Sequence, residues 1–245
     1  MSWFPPTAGV RAGTRLFCLP HGGSGASAYQ PWQPLVPDGV GLVPVRLPGR
    51  ENRFAEPPAR TVEEVVDALT GPLLARAGDR FALFGHSLGG LLAYELARAT
   101  TRAGRPPVLL AVSGCPAPQL LPRAGAPLVH LMTDGDLLAH VRAIAGTAAS
   151  ALDVPELAGL IVPVLRADYE VYETYRHRRG ERLPVPVIVL AGEDDPEVST
   201  TELSAWRELC TRTPEFHTFP GGHFYLSDHP EVAVDAVLSG LRGTG

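Results

Sequence analysis

Residues 80–94, RFALFGHSLGGLLAY, constrain the fold more than any other stretch of this chain. An apolar run at 81–84 leads at once into Gly85-His86-Ser87-Leu88-Gly89, and Leu91, Leu92, Glu95, Leu96 and Ala99 then recur at helical spacing. A short buried strand therefore turns directly into a helix, with Ser87 at the junction. A G-x-S-x-G turn in that context exposes the serine hydroxyl at the C-terminal edge of a sheet. The spelling is steric, because the turn forces the serine toward strained dihedrals and only small neighbours let the two backbones approach. Gly85, Gly89 and Gly90 supply that room. The helix N-terminus, beginning with the Leu88 N–H, stands beside the hydroxyl as a donor for an oxyanion.

The rest of the chain supplies the sheet that such a turn needs. Strands are predicted over 14–19, 40–47, 108–112, 185–190 and 215–219, and a helix over 61–77 with Thr61 and Glu64 at capping-box spacing. Pro44 suits an edge strand better than a central one. About seventy residues separate the strands at 108–112 and 185–190, too many for a simple crossover, so an insertion is expected there. Helical apolar spacing at 128–144 and 157–175 makes a lid the natural reading, with extra core helices as the alternative. Pro163 is expected to kink the second of these helices. Asp168 continues the stripe of Leu157, Leu160, Ile161, Val164 and Leu165, beside Tyr169, Tyr172 and Tyr175. An acid there calls for a partner such as Arg166 or a capping role, and otherwise for contact with substrate.

Partners for Ser87 follow from chain order, which for this turn is serine, acid, histidine. The strand at 185–190 runs into Ala191-Gly192-Glu193-Asp194-Asp195-Pro196, where an acid faces the crevice beyond the strand ends. Asp195 is the first choice and Asp194 the alternative, since one of two neighbours faces the histidine and the other solvent. The last strand leads into Pro220-Gly221-Gly222-His223-Phe224, which sets His223 on a loop as general base. His86 is expected to face away. The final helix is expected to be capped by Asp228, opened by Pro230 and completed by Glu231. The first strand ends in Pro20-His21-Gly22-Gly23-Ser24-Gly25, a loop whose Gly22 N–H is the candidate second oxyanion donor, with His21 close by. A plain turn is the alternative, and a phosphate cradle is disfavoured because neither G-x-G-x-x-G nor a following Gly-Lys is present.

Composition removes other chemistries. The chain has 245 residues, fitting one α/β domain, and a net charge of −5, with no nucleic-acid footprint. All 21 basic residues are arginine, which excludes a Ser-Lys dyad, a Schiff-base lysine and a P-loop lysine. Cys18, Cys115 and Cys210 form no C-x-x-C pair, arguing against a metal site or a disulfide framework. The first residues show no basic region followed by an apolar one, and no apolar run approaches a membrane span, so a cytoplasmic protein is expected. The run Arg176-His177-Arg178-Arg179-Gly180-Glu181-Arg182 is either a solvated face or a dock for an acidic partner or a phosphate.

PHGGSGASAYQPW, LPGRENRF, GHSLGG, LRADYEVYE, GEDDPEV and GGHFYL, in this order, resemble the type II thioesterases that accompany polyketide and nonribosomal peptide synthases. GHSLGG alone is common to many hydrolases, whereas PHGGSG with Tyr29 and Trp32, LPGRE and LRADY are specific together. The resemblance implies an α/β-hydrolase fold, a mostly parallel central sheet with flanking helices and a helical lid insertion at about 125–180 in a single domain 1–245. It implies hydrolysis of acyl groups from the phosphopantetheine thiol of acyl or peptidyl carrier proteins, with Ser87 as nucleophile, Asp195 as acid, His223 as base, and Leu88 and Gly22 as oxyanion donors. His21, Tyr29 and Asp168 are the candidates for substrate contact, and Arg176, Arg178, Arg179 and Arg182 for carrier docking. No metal or organic cofactor, nucleic acid or membrane is implied, and the chain is expected to be a monomer. The family's usual alanine is replaced by Gly22, which a backbone donor tolerates. A free-standing esterase or lipase would share the triad and lid, and a catalytically silent binding protein would share the fold alone.

Overall fold

The computed structural model describes residues 2–5, 13–145 and 154–244, so residues 146–153 of the expected insertion and most of the first twelve residues lie outside it. Its strands are β1 (Thr14–Leu19), β2 (Val40–Pro44), β3 (Phe81–His86), β4 (Leu109–Ser113), β5 (Val187–Gly192) and β6 (Glu215–Phe219). They form one sheet in the order β2-β1-β3-β4-β5-β6, every neighbouring pair parallel. The helices are α1 (Val62–Arg76), α2 (Leu88–Arg102), α3 (Asp134–Ala145), α4 (Pro155–Thr174), α5 (Thr200–Ser204), α6 (Tyr225–Asp228) and α7 (Pro230–Arg242).

β3, β4 and β5 are buried at every position because both faces of the sheet are covered. Alternate residues divide between two cores. Phe17, Leu83, Leu110 and Val189 face α1 and α2, whereas Leu16, Phe84, Ala111 and Ile188 face α7 together with Tyr29 and Trp32. β2 is an edge strand, as Pro44 suggested, but it ends at that proline rather than at residue 47. From β1 the chain goes first to β2 on one side and then to β3 on the other. The loops after β1 and β3 therefore part at a topological switch point, where open sheets of this kind hold their ligands.

Several helix boundaries differ from expectation. At α1 the Thr61 hydroxyl accepts from Glu64 N, but the Glu64 carboxylate reaches Arg60 N, so the box is shifted by one residue. At α7 the cap is His229 rather than Asp228, because residues 225–228 form their own helical turn, α6. Residues 128–144 are not one helix. A 3₁₀ turn at Val129–Leu131 ends in extended backbone at Met132, and α3 starts afresh where Thr133 Oγ1 accepts from Asp136 N. α4 runs on as one helix through Pro163. Pro163 and Gly159 both lie on the exposed side, where the carbonyl deprived of a partner meets water.

Residues 114–186 link β4 to β5 and carry α3 and α4. They have a small core of their own, Val129, Leu137 and Leu165, with Met132, Val141, Ile161 and Tyr169 packed against it. Of the expected stripe on α4, Val164 and Leu165 are buried, whereas Leu157 and Leu160 are exposed. No helix among the described residues is long and apolar enough to cross a membrane.

Candidate active site

Ser87 is the single residue between β3 and α2, held at φ 53° and ψ −120°. Backbone strain of this kind costs roughly 1–3 kcal/mol and persists only where the surroundings enforce it. The enforcement is visible. A Cβ on Gly85 would stand 1.9 Å from Gly89 O, and one on Gly89 would stand 2.2 Å from Leu19 O. Ser87 N donates to Ser113 O at 2.8 Å, tying the turn to the end of β4. Leu88, as the first residue of α2, has an N–H without an intrahelical acceptor.

The acid and base come from the loops after β5 and β6. His223 Nδ1 lies 2.9 and 3.0 Å from the two carboxylate oxygens of Asp195, whose side chain is fully buried. An ionised carboxylate accepts only, so it holds the proton on Nδ1 and leaves Nε2 as the basic nitrogen. Asp195 Oδ1 also accepts from Glu197 N at 2.8 Å, which fixes the carboxylate. Asp194 is exposed and bonds Gly221 O through its backbone N–H. Of the two neighbours, the structure brings only Asp195 to the histidine.

Ser87, Leu88, His21, Gly22, Gly114, Val198, His223 and Phe224 line one side of a cavity of about 70 Å³. The insertion supplies the other side, with Val141, Ile144, Leu165, Asp168, Tyr169 and Tyr172. Tyr169, Tyr172 and Glu197 also line an adjoining cavity of about 180 Å³.

A layer of side chains beneath the site was missed in the sequence. His86 does not face away. It is fully buried with its ring 4.8 Å from that of His223 and 5.9 Å from that of His21. Its Nδ1 bonds Ser113 Oγ at 3.0 Å, and Ser113 Oγ bonds Tyr225 OH at 2.9 Å. Burial, then the neighbouring His223 and His21, holds the His86 imidazole well below its ordinary range, and burial takes His21 down to about 4. Both rings are therefore neutral around the base. The continuous apolar runs of β3 and β4 carried the signal for this layer, because a strand covered on both faces makes His86 and Ser113 at its end interior as well.

Other candidates fall differently. Tyr29 does not reach the cavity; its ring packs on Trp32 and Phe84 and its hydroxyl donates to Leu19 O at 2.5 Å, so it supports β1 from the opposite core. Asp168 lines the cavity, but its partner is Arg50 rather than Arg166, which instead bonds His130 O, Met132 O and Asp134. The contiguous stripe on α4 hid this, because Arg50 is remote in sequence. Arg176, Arg178, Arg179 and Arg182 are exposed on a segment that descends the flank of α2: His177 bonds Tyr94, and Arg98 donates to Arg178 O. Arg98 is about 16 Å along the helix from Ser87. All three cysteines are buried and unpaired, and burial pushes Cys115 up to about 12 and Cys210 to about 11, leaving no thiolate nucleophile.

Residues 14–242 match the model of the thioesterase domain family. The chain is 40% identical over 218 residues to the thioesterase PikA5 of Streptomyces venezuelae, covering 87% of this chain and 76% of that protein. It is 34% identical to the gramicidin S biosynthesis protein GrsT of Aneurinibacillus migulanus, covering 93% and 89%. The solved structure of the type II thioesterase BorB from the borrelidin biosynthetic cluster superimposes with a TM-score of 0.90 at 37% identity, covering 98% and 97%.

Proposed function

The chain belongs to the thioesterase domain family and is a thioester hydrolase with the α/β-hydrolase fold, and from that premise we propose that it clears acyl groups from the phosphopantetheine thiol of acyl or peptidyl carrier proteins. The purpose is release of stalled or misprimed chains from a polyketide or nonribosomal peptide synthase. It acts as a monomer and one domain, with residues 125–180 as a lid.

The observation that carries this reading is a cavity lined by Ser87, Leu88, Gly22 and His223 from the body and by Leu165, Asp168, Tyr169 and Tyr172 from the insertion. His223, oriented by Asp195, takes the Ser87 proton through Nε2 as Oγ attacks the thioester carbonyl. The N–H groups of Leu88 and Gly22 hold the oxyanion. The thiolate leaves with little help, since a thiol of pKa ~8.5 is a good leaving group, and water then cleaves the acyl-enzyme with His223 again as base. The largely apolar lining supports an acyl chain as the group held, with the thiol arm entering past the insertion.

The test is kcat/KM for one short acyl group offered on a holo carrier protein, on N-acetylcysteamine and as an oxygen ester, with Ser87→Ala as the inactive control. A preference for the carrier-bound form is expected. Equal turnover of all three would make the protein a general esterase. Charge reversal at Arg178 and Arg179 is expected to lower carrier-bound turnover alone; equal losses on all substrates would remove that run as the dock.

A further inference from the structure

Beside the triad the chain buries an ion pair that the chemistry above does not use. Arg50 Nη2 lies 2.7 Å from Asp168 Oδ1 and Nη1 lies 2.8 Å from Oδ2, a bidentate pair with both side chains almost fully buried. The same atoms grip the loop after β1. Asp168 Oδ2 accepts from Gly23 N at 2.7 Å, and Arg50 Nη1 donates to Ser24 O at 2.9 Å. Glu51, next to Arg50, accepts from Ser27 N at 2.9 Å through Oε1 and bonds Arg46 at 3.0 Å through Oε2. Three backbone groups between Gly23 and Ser27, in this loop and the 3₁₀ turn that follows it, are thus held by side chains from residues 50–51 and from α4. Gly22 precedes the first of them, and a Cβ built on it would stand 3.7 Å from Asp168 Cβ.

We infer that Arg50 and Asp168 are positioning residues for the oxyanion donor, so that seating α4 on the body and aiming the Gly22 N–H are one event. The inference rests on the thioesterase reading of the cavity. A buried ion pair adds little stability over apolar residues of the same shape, so geometry is what this one supplies. Geometry is also what an oxyanion donor needs, because a misplacement of about 1 Å costs catalysis on the order of a hundredfold. LPGRE at 47–51 and LRADY at 165–169, far apart in the chain, meet in this one contact.

The experiment compares wild type, Asp168→Asn and the apolar pair Arg50→Met/Asp168→Leu on a short acyl N-acetylcysteamine thioester. The apolar pair leaves no stranded charge, so it reports even if Asp168→Asn fails to fold. The expected result is a kcat lower by roughly 10- to 100-fold with KM little changed. An alkylboronic acid, which binds as a tetrahedral adduct of Ser87, should lose affinity by the same factor, while the unreactive amide isostere of the substrate binds as before. The kcat pH profile should not move, since His223 and Asp195 are untouched. A folded variant with wild-type kcat, or a lower kcat with unchanged boronate affinity, overturns the inference. Failure of wild type itself to turn over the thioester through Ser87 would instead overturn the thioesterase reading.

Discussion

The acid beside His223 is decided by one residue of register. Glu193 N is bonded to Phe219 O at the end of β6 and Asp194 N to Gly221 O in the loop after it, and Asp195 is the side chain turned inward to His223. Asp195→Asn should lower kcat by about 10³- to 10⁴-fold, because an amide no longer fixes the reactive tautomer. Asp194→Asn should leave kcat within about twofold, as an exposed side chain outside the site does; steady-state rates on a small thioester distinguish the two. Gly22 offers a second test. Its position is free of close contacts and its φ is not left-handed, so Gly22→Ala should keep activity and add about 0.4–1 kcal/mol of stability by restricting the unfolded chain. A loss of kcat with no loss of melting temperature would mean that the loop needs glycine itself.

Helix α1 shows what local signals do at the scale of an element. Its stripe of Val62, Val65, Val66, Leu69 and Leu73 is buried, and its start is set by Thr61. Thr61→Ala should cost about 1 kcal/mol in urea denaturation with an unchanged slope, since one capping bond is lost and no core is disturbed. A change within about 0.2 kcal/mol would assign the helix start to packing alone. The insertion behaves differently. Its small core is built from contacts between α4, α3 and the turn at Val129–Leu131, and it meets the body at the Arg50–Asp168 pair and across the cavity. Spacing along α4 located the helix, but which residues of the stripe faced inward depended on what it was laid against.

For the whole molecule, acid should act in two stages. His86 is buried and His21 half-buried as neutral imidazoles, with folded values below the ordinary 6.5. Above pH 6.5 both folded and unfolded chains carry these rings neutral, and the stability they contribute is fully present. Below it the unfolded chain takes up protons that the folded chain refuses, so stability falls, for His21 down to about 4. A second loss follows as pH falls below the ordinary carboxylate value of 4.5. Hydrogen bonds from Ser27 and Ser199, with Arg46 and Arg123, outweigh the larger opposing effect of burial and hold Glu51 and Glu202 lower in the folded chain. The melting temperature should therefore decline between pH 7 and 5, and His86→Asn should flatten that decline. An identical slope in the variant would mean that other groups drive it.

By itself the sequence determined the strand-to-helix turn at Ser87, the order of serine, acid and histidine, the parallel sheet and the resemblance to type II thioesterases. These are local: short-range sterics demand Gly85 and Gly89, and apolar periodicity reports burial whatever the partner. It also read the edge position of β2 from a single proline. Only the tertiary structure decided that Asp195 rather than Asp194 meets His223, that Tyr29 belongs to the core, that His86 lies beneath the base, and that Asp168 pairs with Arg50. Each of these depends on which loop or layer meets a side chain from a distant part of the chain. A linear pattern specifies that a residue is interior, whereas packing specifies what it touches there.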